Sequence, residues 1–168
     1  MKPAVSDGNH SRLAQRLRRR YAEALALLPA GAPTRDAQSL LLAQLLAHTP
    51  ADPGAALRIA RQLVLERLLT LDCAQMLPLA GVTQAMTDLA ELTLDAAHRC
   101  ATAELTAQHG APLNQEGAPS ELCILGMGKL GARELNVSSD IDLIYVFDSD
   151  GHTAGVPQPG GQPRGVIS

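Results

Sequence analysis

The chain has 168 residues, 46% of them hydrophobic, and a formal net charge of −3. Only 2% are aromatic and Trp is absent, so a buried core must be built from Leu and Ala, a composition that favours helices over sheets. This balance gives no general pull toward nucleic acid or an anionic membrane, and so few aromatics leave no stacking platforms for single strands.

Residues 1–10 are polar and read as a disordered N-terminus. From Ser11, the residues Leu13, Leu17, Tyr21, Leu25 and Leu28 recur every three or four positions. This spacing predicts one helix, ended by Pro29. Arg12, Arg16, Arg19 and Glu23 fall on its other side. A solvated face is the plainer reading of that run, and an anion or partner site the sharper one. Arg18-Arg19-Arg20 before Ala24–Leu28 is no signal peptide, because the apolar run is short and Glu23 and Pro29 flank it. A second helix is expected over 34–48, with Thr34 as its N-cap. A third starts at Asp52-Pro53, a capping residue followed by Pro at the first helical position. It runs on toward Met76, before Pro78. A fourth opens near Thr83 and closes at Gly110 and Pro112. Residues 11–110 thus read as a helical module without visible chemistry. No segment approaches the ~20 apolar residues that span a membrane.

The character changes at 111–120, a linker rich in Pro, Gly and Asn. Glu121–Leu125 reads as a short buried strand, Gly126–Asn136 as a turn and short helix, and Ile141–Phe147 as a second strand. Residues 151–168 are rich in Gly and Pro and read as a disordered tail. The three cysteines, Cys73, Cys100 and Cys123, have no metal-ligand spacing, and the five histidines are scattered. Reduced thiols in a cytoplasmic protein are the simplest reading.

The chemistry concentrates in LCILGMGKLGARELNVSSDIDLIYVFD, residues 122–148. Gly126, Gly128 and Gly131 spell G-x-G-x-x-G, while Asp140 and Asp142 spell D-x-D. The glycines alone suit a dinucleotide fold, with Asp148 or Asp150 as the acidic residue that such a fold needs about twenty positions on. The aspartates count against it, because the second strand of that fold is covered on both faces and should be continuously apolar. Carboxylates at i and i+2 of a strand share a face about 7 Å apart and repel unless a cation lies between them. A hard divalent ion bound to nucleotide phosphate removes that repulsion. The plainer alternative is that Asp140 caps the strand and Asp142 is merely exposed. The glycine turn supports the metal reading. It frees backbone N–H groups at Gly126 and Gly128, starts a helix whose N-terminus suits an anion, and adds the Lys129 charge. Ser138 and Ser139 are candidates for phosphate donation or for turn capping. Arg133 and Glu134 are expected in the helix, facing solvent.

These residues also resemble a family. Gly126-Met127-Gly128-Lys129-Leu130-Gly131, then Arg133-Glu134-Leu135-Asn136, then Ser138-Ser139-Asp140-Ile141-Asp142-Leu143-Ile144 resemble the signature of bacterial glutamine synthetase adenylyltransferase/adenylyl-removing enzymes, of the DNA-polymerase-β-like nucleotidyltransferases. Leu57-Arg58-x-x-Arg61 through Arg67 and Asp72 is similar to the helical segment that precedes their catalytic core. The resemblance spans roughly residues 55–150. It implies an α+β fold: an N-terminal helical bundle followed by the first part of a nucleotidyltransferase domain (strand-turn-helix-strand) over 121–150.

The resemblance further implies control of glutamine synthetase. One catalytic half removes AMP from its tyrosine by phosphorolysis, giving ADP, and the other adds AMP from ATP. A PII-type signal protein and glutamine set the balance. The wording around Asn136 is more similar to the adenylyl-removing half. By resemblance, Asp140 and Asp142 would bind Mg²⁺ and act catalytically. Gly126, Gly128, Lys129, Ser138 and Ser139 would hold nucleotide or phosphate. Ala132 stands where the family usually has a second Gly. The family's third catalytic carboxylate lies in an Arg-x-Asp-x-Arg segment, and the 168 residues contain none. The expectation is therefore a fragment with little activity alone. The alternative from another class is a non-catalytic helical module that binds glutamine synthetase or the signal protein. A nicotinamide-binding enzyme ranks third.

Overall fold

The computed structural model describes residues 11–74, 76–157, 164, 165 and 167. Among them α1 (Arg12–Arg20), α2 (Arg35–His48), α3 (Pro53–Cys73) and α4 (Leu79–His109) form the helical module. β1 (Pro112–Asn114), β2 (Leu122–Gly126), the single turn α5 (Gly128–Gly131), β3 (Leu143–Phe147) and β4 (Gly151–Thr153) follow. The fold class is α+β, as expected.

Local signals explain the helix starts. The Ser11 and Thr34 hydroxyls each accept from the backbone N–H three residues on, Ala14 and Ala37, at 3.3 Å. The Asp52 carboxylate accepts from Ala55 N–H at 2.8 Å, with Pro53 at the first helical position. Each cap satisfies an N–H that the helix cannot. α4 begins at Leu79, directly after Pro78 and earlier than Thr83. α3 ends at Cys73, short of Met76, whose N–H turns back to the Leu71 carbonyl at 2.9 Å.

The first helix is shorter than its stripe. α1 stops at Arg20, and a 3₁₀ turn over Ala24–Leu27 carries the chain on. Arg67 of α3 supplies the physical reason for the departure. Its guanidinium donates to the carbonyls of Leu28 (3.0 Å), Gly31 (3.2 Å) and Pro29. Arg12, Arg16 and Arg19 are exposed, the solvated face, whereas Arg18 pairs with Glu66 at 2.6 Å.

α3 is the centre of the module. It packs on α1, α2 and α4, and α2 also packs on α4. Leu41, Leu63, Val64, Ala56 and Ala60 are fully buried. Two alanines one helical turn apart let neighbouring backbones approach closely. Leu130 and Leu135 join this same core, so the glycine turn is seated on the helices.

β2 and β3 pair antiparallel, Leu122 opposite Phe147 through Gly126 opposite Leu143. A dinucleotide fold needs these two strands parallel, so that reading is set aside. β1 and β4 pair antiparallel within stretches that composition reads as linker and tail. Residues 1–10, 158–163, 166 and 168 of the expected disordered ends lie outside the described residues. No described helix is long and apolar enough to cross a membrane. Cys73, Cys100 and Cys123 are free thiols.

Candidate functional site

The glycine turn is shaped by close approach. Gly128 has φ +52°, the left-handed region where a side chain is strained. A Cβ at Gly131 would stand 2.5 Å from the Gly126 carbonyl oxygen, closer than any side chain allows. The turn closes as Met127 N–H donates to the Asp142 carbonyl at 2.9 Å, directly beyond the last strand pair. That bond brings the two halves of the motif together. The Asp142 carboxylate lies 3.8 Å from where a Gly128 Cβ would be.

Two expectations about this turn need correction. α5 is one turn of four residues, too short for a helix terminus to hold an anion by its dipole. Any anion here relies on Gly128 and Lys129 themselves. Asp140 and Asp142 also precede β3, which starts at Leu143, so strand geometry does not set their spacing. The ladder can begin only where β2 supplies a partner, and β2 ends at Gly126.

The loop from Asn136 to Asp142 is built around one amide. Asn136 Oδ1 accepts from Ser138 N–H (3.1 Å), Ser138 Oγ (3.3 Å) and Ser139 Oγ (2.8 Å). This is the turn-capping alternative for both serines. Lys129 Nζ reaches Ser139 Oγ at 3.4 Å across the loop. Ser139 and Asp140 line a cavity of about 390 Å³ with Leu57, Arg58, Arg61 and Met86. Arg61 also donates to the Val137 carbonyl at 3.4 Å. Gly126 lines a separate groove of about 560 Å³ between β2 and α4.

Both aspartates are exposed, and both offer carboxylate oxygens. That donor set fits a hard divalent ion, which takes one or two protein carboxylates and completes its shell with water and phosphate. Among the described residues no group of three or more His, Cys, Asp or Glu could hold a metal.

Arg133 and Glu134 lie outside the helix. Arg133 takes φ +59° and turns back to α4, where Nη2 meets Asp88 Oδ1 at 3.0 Å and Nη1 meets Glu91. Arg35 of α2 binds the same two carboxylates, Asp88 at 3.2 Å and Glu91 at 2.5 Å. The hydrogen bond to Glu91 is the main reason the Arg35 pKa is raised above its ordinary value. Arg133, expected in the helix and facing solvent, is instead paired, and sequence reasoning gave no role to Asp88, Glu91 or Arg35, because no local spacing signals a contact across 45 residues.

The sequence pattern of the glutamate-ammonia ligase adenylyltransferase family matches residues 9–159, further than the stretch that carries the resemblance. Curated relatives described as bifunctional glutamine synthetase adenylyltransferase/adenylyl-removing enzymes are similar over much of the chain. The protein of Aromatoleum aromaticum is 44% identical over 134 residues, 78% of this chain and 14% of the relative. That of Ralstonia nicotianae is 42% identical over 159 residues, 90% of this chain and 17% of the relative. That of Burkholderia mallei is 45% identical over 143 residues, 80% of this chain and 15% of the relative. The chain thus spans 14–17% of the length of these relatives. With the glycine turn, the aspartates and the helical module all inside the match, the chain belongs to the glutamate-ammonia ligase adenylyltransferase family.

Proposed function

We propose that this chain supplies the first part of a nucleotidyltransferase site that acts on glutamine synthetase. Its favoured direction is adenylyl removal. An oxygen of inorganic phosphate bonds to the AMP phosphorus, the phosphorus–tyrosine oxygen bond breaks, and the tyrosine takes up a proton. The products are ADP and free tyrosine. The observation that carries the reading is the Asp142 carboxylate seated against Gly128.

Asp140 and Asp142 would hold Mg²⁺, which when bound neutralises charge on phosphate oxygens. Gly128 lets a phosphate approach the backbone without a side chain in the way, while Gly126 makes room for the Leu130 side chain that packs the turn. Lys129 places a positive charge beside it, within reach of Ser139. Ser138 and Ser139 fix the loop through Asn136 and can turn a hydroxyl to a phosphate oxygen. The cavity beside Asp140, with apolar walls and Arg58 and Arg61, suits part of the adenylyl-tyrosine segment. A PII-type signal protein and ATP belong to the same reading, as what the family resemblance of residues 126–144 implies.

β2 and β3 form a two-stranded sheet whose Leu125, Ile144, Tyr145 and Phe147 are exposed. Such a ribbon is marginal unless further structure covers it. We therefore expect no ADP release by the 168-residue chain alone. Binding to adenylylated and unmodified glutamine synthetase, with and without Mg²⁺, tests the reading. It predicts preference for the adenylylated form, dependence on Mg²⁺, and loss in Asp142→Asn. Saturable binding indifferent to both Mg²⁺ and Asp142→Asn would favour a helical binding module instead.

A further inference from the structure

We propose that Arg133 is a positioning residue. It ties the glycine turn to α4 through Asp88 and Glu91, so the helical module sets where Gly128, Lys129 and Asp142 stand. This rests on the reading of that turn as the phosphate site.

Three observations converge. Arg133 is the one residue other than Gly with positive φ among the described residues. A left-handed Arg is strained and persists only where its surroundings hold it. What holds it is a pair of carboxylates on one face of α4, three residues apart. Asp88 is the anchor, because its side chain is only 7% exposed while Glu91 is 30% exposed. Charge-assisted bonds to a buried carboxylate are stronger than exposed ones. The attachment also has a second point two residues on, where Leu135 N–H donates to the buried Thr87 hydroxyl at 3.3 Å.

Arg133 is joined directly to the turn by backbone bonds. Its N–H donates to Leu130 O at 3.0 Å, and Glu134 N–H donates to Lys129 O at 2.8 Å. Moving Arg133 therefore moves the backbone of Lys129. Gly128 is tied in the same way, as the acceptor from Ala132 N–H at 2.9 Å.

The cluster separates anchoring from folding. Asp88 accepts from Arg35 and also from Gln84 Nε2 at 2.9 Å. Removing Arg133 leaves the buried carboxylate paired, so α4 keeps its place and only the turn is released. Removing Arg35 does the reverse, loosening α2 from α4 and sparing the turn.

Amide hydrogen exchange on the 168-residue chain tests this with Arg133→Ala, Arg133→Gly, Arg133→Lys and Arg35→Ala. Arg133→Ala is expected to speed exchange at Met127, Ala132 and Glu134 by about tenfold or more, with amides of α2 and α3 unchanged. Arg133→Gly relieves the φ strain but carries no charge, so it is expected to behave like Ala. Arg133→Lys is expected to restore part of the protection, and Arg35→Ala to leave the turn unchanged. Wild-type protection in Arg133→Gly, no effect at the turn in Arg133→Ala, or equal loss throughout the helices would overturn the proposal. The reading of the turn as a phosphate site fails separately, if inorganic phosphate added with Mg²⁺ leaves the amide shifts of Gly128 and Lys129 unmoved in the unsubstituted chain.

Discussion

The Asp142 carboxylate stands 3.8 Å from the position a Cβ on Gly128 would take. The contact itself leaves room for a methyl group. The backbone does not, because Gly128 sits at φ +52°. Gly128→Ala should therefore cost about 1–2 kcal/mol through strain alone. Urea unfolding measures it. At Gly131 the obstacle is a carbonyl oxygen at 2.5 Å, so Gly131→Ala should move the backbone. Large amide shift changes confined to residues 126–132 would report that movement, whereas a spectrum like the parent's would contradict it.

Leu63 is fully buried on α3. Leu63→Ala should destabilise by about 2–5 kcal/mol, a large share of the stability of a small module. A urea midpoint near that of the parent would contradict the central place given to α3.

Arg67 binds three carbonyls in the 28–31 segment. Arg67→Ala leaves them to water and should cost about 1–2 kcal/mol. Faster exchange should follow around residues 25–34, and little change is expected in α4. Arg67→Lys should recover only part, since an ammonium does not fork between carbonyls as a guanidinium does.

Asp148 accepts a hydrogen bond from the Ser120 hydroxyl, the main cause of a pKa below the ordinary 3.8. A depressed folded value means the stabilisation is present above the unfolded pKa. It is lost as pH falls through the folded pKa, so its window lies below about pH 4. In Ser120→Ala the carboxyl should titrate closer to 3.8. Carbon NMR of the Asp148 carboxyl reads it directly, and an unmoved midpoint would contradict the cause.

Much of the helical module was legible because its signals are local. Thr34 and Asp52-Pro53 announce α2 and α3 within a few residues. The break after Arg20 was not legible, since the apolar period runs through it and the cause is Arg67, far along the chain. β1 and β4 were missed because Pro112 and Gly151 weaken strand propensity, and long-range pairing decides there. The glycines and aspartates stood out by type and spacing, but their attachment to the helices did not. Arg133 and Asp88 are ordinary charged residues in sequence, and only folding brings them together.

The most direct test is a Mn²⁺ titration of the isotope-labelled 168-residue chain, followed by NMR line broadening. The account predicts broadening first at Gly128, Lys129, Asp140 and Asp142, and its loss in Asp140→Asn and Asp142→Asn. Broadening that starts elsewhere, or that survives both substitutions, would contradict a metal–phosphate site built from the glycine turn and the two aspartates.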